Sequence, residues 1–276
     1  KPYDPDSVSG DYGYNRMPNV VTSLEFERIL SASGPYQGQV LRPSDGRHPE
    51  KIAWIQCVGS RKSEICKDYC SSVCCMYATK EAIIAREHDD RIRPTIFNMD
   101  IRAFGKGFER YYQSAKDKFG VEYIKAMPTP MVREKDNGNI VLEYTDDSGV
   151  KSYAEFYMVV LSVGLEPSDS SKALAETLDI EVDQFGFCKT DEFKPNITSR
   201  SGVYVCGAFD APMDIPESVM NASSAAFMAS QEITEARGTL VTEKEYPPER
   251  DVSDEEQRVG VFVCRCGTNI ARVVDV

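Results

Sequence analysis

The sequence lacks a glycine-rich dinucleotide loop, a long apolar run and a cluster of basic residues. GxGxxG occurs nowhere, and residues 105–107 supply only a GxG, so the usual loop for a pyrophosphate is missing and NAD(P) binding is weakly supported. Without eighteen consecutive apolar residues or a signal peptide, we expect a soluble protein that is neither inserted in a membrane nor exported. A net charge of −12 makes nucleic acid and anionic membrane surfaces poor partners.

Cysteine, in contrast, is abundant and clustered. Five of the nine cysteines lie between Lys51 and Lys80. Lys51–Val58 reads as a buried strand bounded by Gly59, and the apolar spacing from Cys74 onward predicts a helix. The cysteines therefore occupy a strand, loop and helix unit, which is where α/β folds place cofactors.

Thiolates at this density favour zinc or an iron–sulfur cluster. The spacing lacks the paired CxxC knuckles of a zinc ribbon, and the adjacent Cys74 and Cys75 reach different irons of a cluster more readily than one zinc ion. The alternative is a set of buried or disulfide-bonded cysteines. An odd cysteine count and no sign of secretion argue against it and predict a reducing cytoplasm.

Three long motifs identify a family resemblance. CVGSR, YCSSVCCMYATKEA and FNMDIRAFGKGFE resemble the flavin-containing A subunit of heterodisulfide reductase, and the similarity runs from about Pro18 to Glu232 and resumes at Gly260. The resemblance implies an α/β, thioredoxin-reductase-like Rossmann flavoprotein fold with two dinucleotide-binding domains, incomplete at its N-terminal FAD half. The chain is expected to be an internal fragment of a longer polypeptide.

The resemblance also implies a cofactor set. The family pattern places a [4Fe–4S] cluster on Cys57, Cys70, Cys74 and Cys75, with Cys66 as an alternative to one of them. It places Lys80 near the flavin, where an ammonium would stabilise a developing anion; the alternative is an ordinary surface lysine.

The second FAD motif of the family supplies the expected flavin contacts. Ala208 stands where the family has an aspartate on the ribityl chain, and Asp210 or a water is the expected compensation. The helix predicted from Asp214 to Ile233, with Asp214 as its N-cap, would direct its dipole toward the flavin. The implied FAD-binding residues are Gly164, Gly207, Ala208, Asp214, Ile215, Pro216 and Ser218.

The sequence pattern also predicts the elements and the domains. We expect a capped helical segment over Val20–Leu30, with Thr22 or Ser23 as its N-cap. A buried strand is expected over Gly202–Gly207, and Cys206 within it and Cys188 are expected to be core or near-surface thiols. A strand from Gly260 would carry Cys264 and Cys266 as a metal-binding candidate. The expected divisions are 1–50, the end of the first FAD half; 51–163, a Rossmann-like domain with the cluster; 164–238, the second FAD half; 239–258, a linker; and 259–276, a further module.

The resulting hypothesis is FAD- and [4Fe–4S]-dependent electron transfer, with flavin-based bifurcation or confurcation. The expected setting is a homodimer within a larger cytoplasmic complex of iron–sulfur, disulfide-reducing or hydrogenase-type subunits. Two alternatives stay open. One is an electron-transfer protein linked to quinone, and the other is a docking module without flavin, favoured by the missing GxGxxG loop.

Overall fold

The computed structural model describes residues 1–7, 11–65, 67–130, 132–265, 270 and 272. The chain divides into two compact units, Lys1–Thr234 and Glu235–Val276. Among the described helices, none combines the length and the apolar character needed to cross a bilayer.

A five-stranded parallel sheet forms the centre of the first unit. The strand order is β1-β8-β2-β3-β4, and every neighbouring pair runs parallel. This architecture confirms the expected α/β fold with a Rossmann-type sheet. The strands are β1 (Val20–Thr22), β2 (Lys51–Val58), β3 (Arg93–Phe97), β4 (Glu122–Ile124) and β8 (Met158–Val163).

Strand β2 is buried on both faces, which explains its nearly continuous apolar sequence. Ile52 and Trp54 pack into a core beneath the helices, whereas Ala53 and Ile55 face a second core on the other side of the sheet. Trp54 meets the ring of Phe26 edge to face at 5.3 Å between centroids. The strand is therefore shielded from water on both faces of the sheet.

Helices cover the first of these faces. The expected helical segment over Val20–Leu30 divides: Val20–Thr22 form strand β1, and the helix begins only at Ser23. The β-branched Val20 and Val21 favour the edge position beside β8, and Thr22 then acts as N-cap in a capping box with Glu25. The helices are α1 (Ser23–Leu30), α2 (Cys74–His88), α3 (Phe108–Asp117), α4 (Asp169–Leu178) and α5 (Ile215–Glu232).

A carboxyl group is buried beneath α2. Glu81 is 1% exposed, and its Oε2 accepts a hydrogen bond of 2.9 Å from Trp54 Nε1. The helix therefore presents one ionisable group to an otherwise apolar core.

A small antiparallel sheet covers the opposite face. Its strands are β5 (Arg133–Glu134), β6 (Ile140–Thr145) and β7 (Lys151–Phe156). The turn at Asp146–Gly149 joins β6 to β7, as the sequence predicts, and Asp146 Oδ1 accepts from the backbone of Ser148 and Val150.

The prediction of a strand over Gly202–Gly207 is wrong. Tyr204 makes only an isolated bridge to Ile197, and Gly207–Phe209 form a turn of 3₁₀ helix. Without a neighbouring strand to supply a ladder, the apolar run does not extend, and Cys206 is exposed. Cys188, in contrast, is buried at 3% exposure in a small satellite core, as expected.

The described residues of the second unit contain little regular structure. Residues 239–258 are irregular and exposed. The prediction of a strand from Gly260 is also wrong for the described residues. Residues 260–265 form no strand, and Val261 and Phe262 are exposed. Cys264 is exposed, whereas Cys66 and Cys266 lie outside the described residues.

Candidate metal centre and adjoining cleft

The cysteine-rich segment lies where the strand order of the sheet reverses. From β2 the chain proceeds through β3 to β4 on one side, while β8 and β1 lie on the other. In open α/β sheets, ligands bind at the carboxyl ends of the strands at such a reversal. Cys57 is near the carboxyl end of β2, so the sheet places the thiols at this position.

Cys57 has an unusual backbone conformation. Its φ is +58°, in the left-handed region that residues with a Cβ seldom adopt, and the β2–β8 register shifts between Ile55 and Val58. Arg61 and Ser72 in the same segment also have positive φ values, of 55° and 62°. Such conformations cost about 1–3 kcal/mol each and concentrate at functional sites.

Four thiols converge from three parts of this segment. Cys57 is the penultimate residue of β2, Cys70 lies in the loop, and Cys74 and Cys75 open α2. Burial, together with the neighbouring Cys75 and Cys70, raises the pKa of Cys57 to about 11. Burial also raises the pKa of Cys74, again with contributions from the other three thiols. The four side chains thus form one electrostatically coupled group.

The four sulfur side chains are the donor set that an iron–sulfur cluster takes, with one thiolate on each iron. Among the residues that the structure describes, no three ligating side chains are arranged to hold a single metal ion. Cys57, Cys70, Cys74 and Cys75 form no disulfide, and metal binding would deprotonate them.

Two unpaired polar side chains support a bound group. Gln56 and Ser162 are 0% exposed, and within the described parts of the chain neither the Gln56 amide nor the Ser162 hydroxyl has a hydrogen-bond partner. By strand alternation they follow Trp54 and Val160 on the face that α2 covers. A buried polar group without a partner costs about 1–3 kcal/mol, so these donors fit a site that receives a polar or anionic occupant.

The cysteine loop is fastened to the chain that leaves β8. Tyr77 Oη donates to Val163 O at 2.6 Å, Tyr69 Oη donates to Leu165 O at 2.9 Å, and Leu165 N donates to Ser71 Oγ at 2.8 Å. Gly164 lies between these bonds. A Cβ there would stand 2.2 Å from Ser60 Oγ, so the glycine permits the close backbone approach to the loop.

A cleft of about 670 Å³ is lined by Ser72 and Val73, the residues that directly precede Cys74. This volume lies within the range of small-molecule sites. Its walls come from the start of α2, the segment from Arg102 to Tyr111, and the entry to α5. The side chains on these walls include Met76, Tyr77, Lys80, Asp214, Ile215 and Pro216.

Lys80 lies on the wall of this cleft. Its Nζ is 2.8 Å from Glu27 Oε1, and the side chain is 46% exposed. The hydrogen bond with Glu27 raises the pKa of Lys80, so the lysine is charged at neutral pH. The position of Lys80 near a flavin stays a prediction, and its ion pair with Glu27 was not predicted from the sequence.

Helix α5 directs its N-terminus into the cleft. Asp214 caps the helix and accepts from the backbone of Glu217, which completes a capping box. Ile215 is 80% exposed. The Ser218 hydroxyl is not directed into the cleft but donates to Asp214 O at 2.7 Å. The partial positive charge of the helix end therefore faces the cavity.

Four expected flavin contacts do not line this cleft: Gly164, Gly207, Ala208 and Ser218. Gly207 N donates to Asn221 Oδ1 at 2.9 Å, and Asn221 Nδ2 donates to Asp210 Oδ2 at 3.2 Å. Burial raises the pKa of Asp210. That Asp210 compensates for the aspartate replaced by Ala208 stays a prediction. Asp210 lies two residues from Ala208, and its carboxylate accepts the hydrogen bond from Asn221 on α5.

Sequence reasoning missed most of the cleft. Met76 and Tyr77 look like ordinary core positions of a helix, and Phe104 and Tyr111 lie in a segment without a recognisable ligand motif. These residues come together only through the packing of α2 against α3. Phe104 is 65% exposed, and no sequence pattern marks it as an exposed aromatic residue of a cleft.

Relatives were found among curated proteins, although no protein-family profile matches the chain. It is 42% identical over 223 residues to the second iron-sulfur A subunit of CoB–CoM heterodisulfide reductase of Methanopyrus kandleri, covering 80% of the chain and 34% of that protein. It is 39% identical over 264 residues to the A subunit of H(2):CoB-CoM heterodisulfide,ferredoxin reductase of Methanothermobacter marburgensis, covering 95% of the chain and 39% of that protein. The chain thus spans about a third to two fifths of these relatives.

Solved structures show a more distant similarity. Bacillithiol disulfide reductase from Bacillus cereus aligns with a TM-score of 0.39 and 11% identity, over 67% of this chain and 50% of that one. The parallel sheet of the chain itself establishes the α/β fold.

Proposed function

Because this chain belongs to the family of heterodisulfide reductase A subunits over the residues that match, we propose that it carries an iron–sulfur cluster beside a flavin and transfers electrons between them. The observation that carries the proposal is a cleft that contains Lys80 and the N-terminus of α5, and whose lining includes Ser72 and Val73, which lie between Cys70 and Cys74 in the sequence. Two redox groups would thereby lie within one compact unit.

The proposed cluster ligands are Cys57, Cys70, Cys74 and Cys75. Their sulfur donors suit iron, and the names of several relatives describe an iron-sulfur protein. A [4Fe–4S] cluster matches the count of four thiols. Such a cluster supplies one-electron transfer when it is bound.

FAD is the proposed occupant of the cleft. The dipole of α5 would stabilise negative charge on the flavin ring, and the Lys80 ammonium would attract the same charge from the opposite wall. Ile215 and Pro216 offer apolar contact to the ring and exclude water. We keep Gly164, Gly207, Ala208 and Ser218 as contacts to the remainder of the cofactor.

The wider setting follows from the relatives. One relative is named as a subunit of an H(2):CoB-CoM heterodisulfide,ferredoxin reductase, so we infer that the parent of this chain works within a larger reductase complex. That the parent is a homodimer in the cytoplasm is a proposal from the family resemblance alone. The absence of a disulfide at Cys57, Cys70, Cys74 and Cys75 agrees with a reducing compartment. The finer hypothesis is bifurcation, in which two electrons leave the flavin by separate routes and one route begins at the cysteines.

The test is anaerobic quantitation of iron, sulfide and flavin in wild type and two cysteine variants. We expect about four irons per chain, as a cubane cluster requires. Cys57→Ser should lose them, whereas Cys188→Ser removes a buried thiol in a separate core and should retain them. Equal iron in the two variants, or zinc in wild type, would contradict the ligand assignment. Iron without flavin would favour a docking module.

A further inference from the structure

Gln56 and Ser162 lie on neighbouring strands near the carboxyl ends of β2 and β8. The two strands pair in parallel with Ile55 beside Leu161, and Gln56 and Ser162 follow these residues directly. Both side chains are 0% exposed. Over the residues that the structure describes, Gln56 Nε2, Gln56 Oε1 and Ser162 Oγ have no hydrogen-bond partner. The sheet therefore holds three unpartnered polar atoms close to the end of β2 that carries Cys57.

Neighbouring buried hydroxyl groups, in contrast, are paired. Ser60 Oγ and Ser71 Oγ are 2.8 Å apart, and Ser71 Oγ also accepts from Leu165 N. Thr79 Oγ1 donates to Cys75 O at 2.8 Å. Since buried polar groups in folded proteins nearly always have a partner, Gln56 and Ser162 indicate a place for a polar occupant.

The first turn of α2 covers this place. Trp54 Nε1 donates to Glu81 Oε2 at 2.9 Å, which fixes the point where α2 crosses β2. The helix runs antiparallel to the strand, because the chain returns through it to the parallel strand β3. Two residues of strand span about 7 Å, equal to about four to five residues of helix. Counting back from Glu81 therefore brings Gln56 beneath residues 74–77.

Cys74 is directed toward the sheet in this turn. It is 1% exposed and shares one face of α2 with three alanines of the core between helix and sheet. These alanines are Ala78, Ala82 and Ala85. Tyr77 Oη donates to Val163 O at 2.6 Å, so the same turn also lies over the end of β8. Cys74 thus faces the part of the sheet that holds Gln56 and Ser162.

We infer that Gln56 and Ser162 donate hydrogen bonds to sulfur atoms of the metal centre beside Cys74 and thereby raise its reduction potential. The inference rests on the proposed function, since it requires a cluster on the four cysteines. The Gln56 amide has two N–H donors, and the Ser162 hydroxyl has one O–H donor. Reduction adds one electron and breaks no bond, and donors to sulfur stabilise the more negative state.

Three substitutions separate this role from ordinary packing. S162A and Q56M remove the polar atoms with little change in volume, because methionine is unbranched like glutamine. T95V is the matched control on the same sheet. Thr95 is 6% exposed, and its Oγ1 donates to Glu122 Oε2 at 3.1 Å, so its hydroxyl already has a partner within the protein.

The first measurement is an anaerobic redox titration, followed by electron paramagnetic resonance, on the cluster-loaded full-length protein. The double variant Q56M/S162A should decrease the ratio of reduced to oxidised centre at a fixed potential about tenfold, equivalent to ~59 mV for one electron. Each single variant should decrease the ratio by less. T95V should leave it unchanged, because the Thr95 hydroxyl is bonded to Glu122.

The second measurement is urea unfolding of the same variants after removal of the metal, followed by the fluorescence of Trp54. S162A should raise the ratio of folded to unfolded protein about fivefold, because it removes a buried hydroxyl that has no partner without the cluster. T95V should lower that ratio, because it breaks an existing hydrogen bond. The two variants therefore change stability in opposite directions.

The remaining outcomes each decide against one part of the argument. An unchanged potential in both single variants with iron retained would overturn the inference, since water would then satisfy the two side chains. An equal shift in T95V, or a metal-free S162A less stable than wild type, would overturn it too. So would loss of iron from S162A, because the hydroxyl would then serve assembly and not the potential. A wild-type protein without iron would instead refute the proposed function itself.

Discussion

Replacing the buried Glu81 with glutamine should make the protein increasingly more stable than wild type as the pH rises. Burial raises the pKa of Glu81 well above its usual value, and the hydrogen bond from Trp54 only partly opposes this effect. The folded state therefore retains a proton that the unfolded chain releases above a pH of about 4.3. Glutamine keeps an oxygen acceptor for Trp54 Nε1 and has no proton to lose.

The sign and the slope follow from proton linkage. Since the unfolded wild-type chain binds fewer protons than the folded one, its free energy of unfolding falls with rising pH between the unfolded and folded pKa values. The slope is about 1.4 kcal/mol per pH unit in that window. The free-energy difference between E81Q and wild type should widen by this amount per pH unit and be small near pH 4.

Urea unfolding between pH 4 and 8 measures the difference. The fluorescence of Trp54, the single tryptophan, reports directly on the core that contains Glu81. E87Q, on the exposed face of the same helix, is the control and should follow wild type at every pH, because its side chain remains in water in both states. Parallel curves for E81Q and wild type would refute the argument that burial keeps Glu81 protonated.

Three further predictions use paired or single substitutions. Gly59→Ala and Gly46→Ala both place a Cβ at a positive φ, but of the two only the Cβ at residue 59 would meet an aromatic ring, at 2.0 Å. Thermal unfolding should therefore show that G59A is less stable than G46A by about 1–3 kcal/mol. Equal losses of stability in the two variants would contradict this. Phe26→Ala should cost about 3–5 kcal/mol in urea unfolding because Phe26 is 0% exposed, whereas Phe193→Ala, at 91% exposure, should stay within about 0.5 kcal/mol. Lys80→Gln should change the free energy of unfolding by less than about 1 kcal/mol, since the ion pair of Lys80 is half exposed. The same variant should slow electron transfer from bound flavin in stopped-flow measurements. An unchanged rate would show that Lys80 has no role at the flavin.

Elements specified by local signals were predictable from the sequence. Strand β2 matches its expected bounds because an apolar run ending at Gly59 is a local pattern. The N-caps Thr22 and Asp214 are also confirmed, because each capping box lies within four residues of sequence. Cap and periodicity therefore define α1 and α5 before any tertiary contact is known.

Features that depend on distant partners were not predictable. Residues 202–207 have strand composition but find only one bridging residue, so composition alone misled. Strand β1 is three residues long and exists only because β8 lies beside it. The cleft combines residues 72–111 with 213–217, and the ion pair of Arg61 with Asp100 joins residues 39 positions apart in the sequence. No local sequence pattern predicts these contacts between residues that are distant in the chain.

The fastening of the cysteine loop to the end of β8 makes the two segments one cooperative opening unit. The Leu165 amide donates to the Ser71 hydroxyl, 94 residues away in sequence, so it can exchange its hydrogen with solvent only when the loop opens. A ligand bound to the loop would make that opening rarer in proportion to its occupancy. Hydrogen exchange at Leu165 thus provides a remote readout of whether the thiols are occupied.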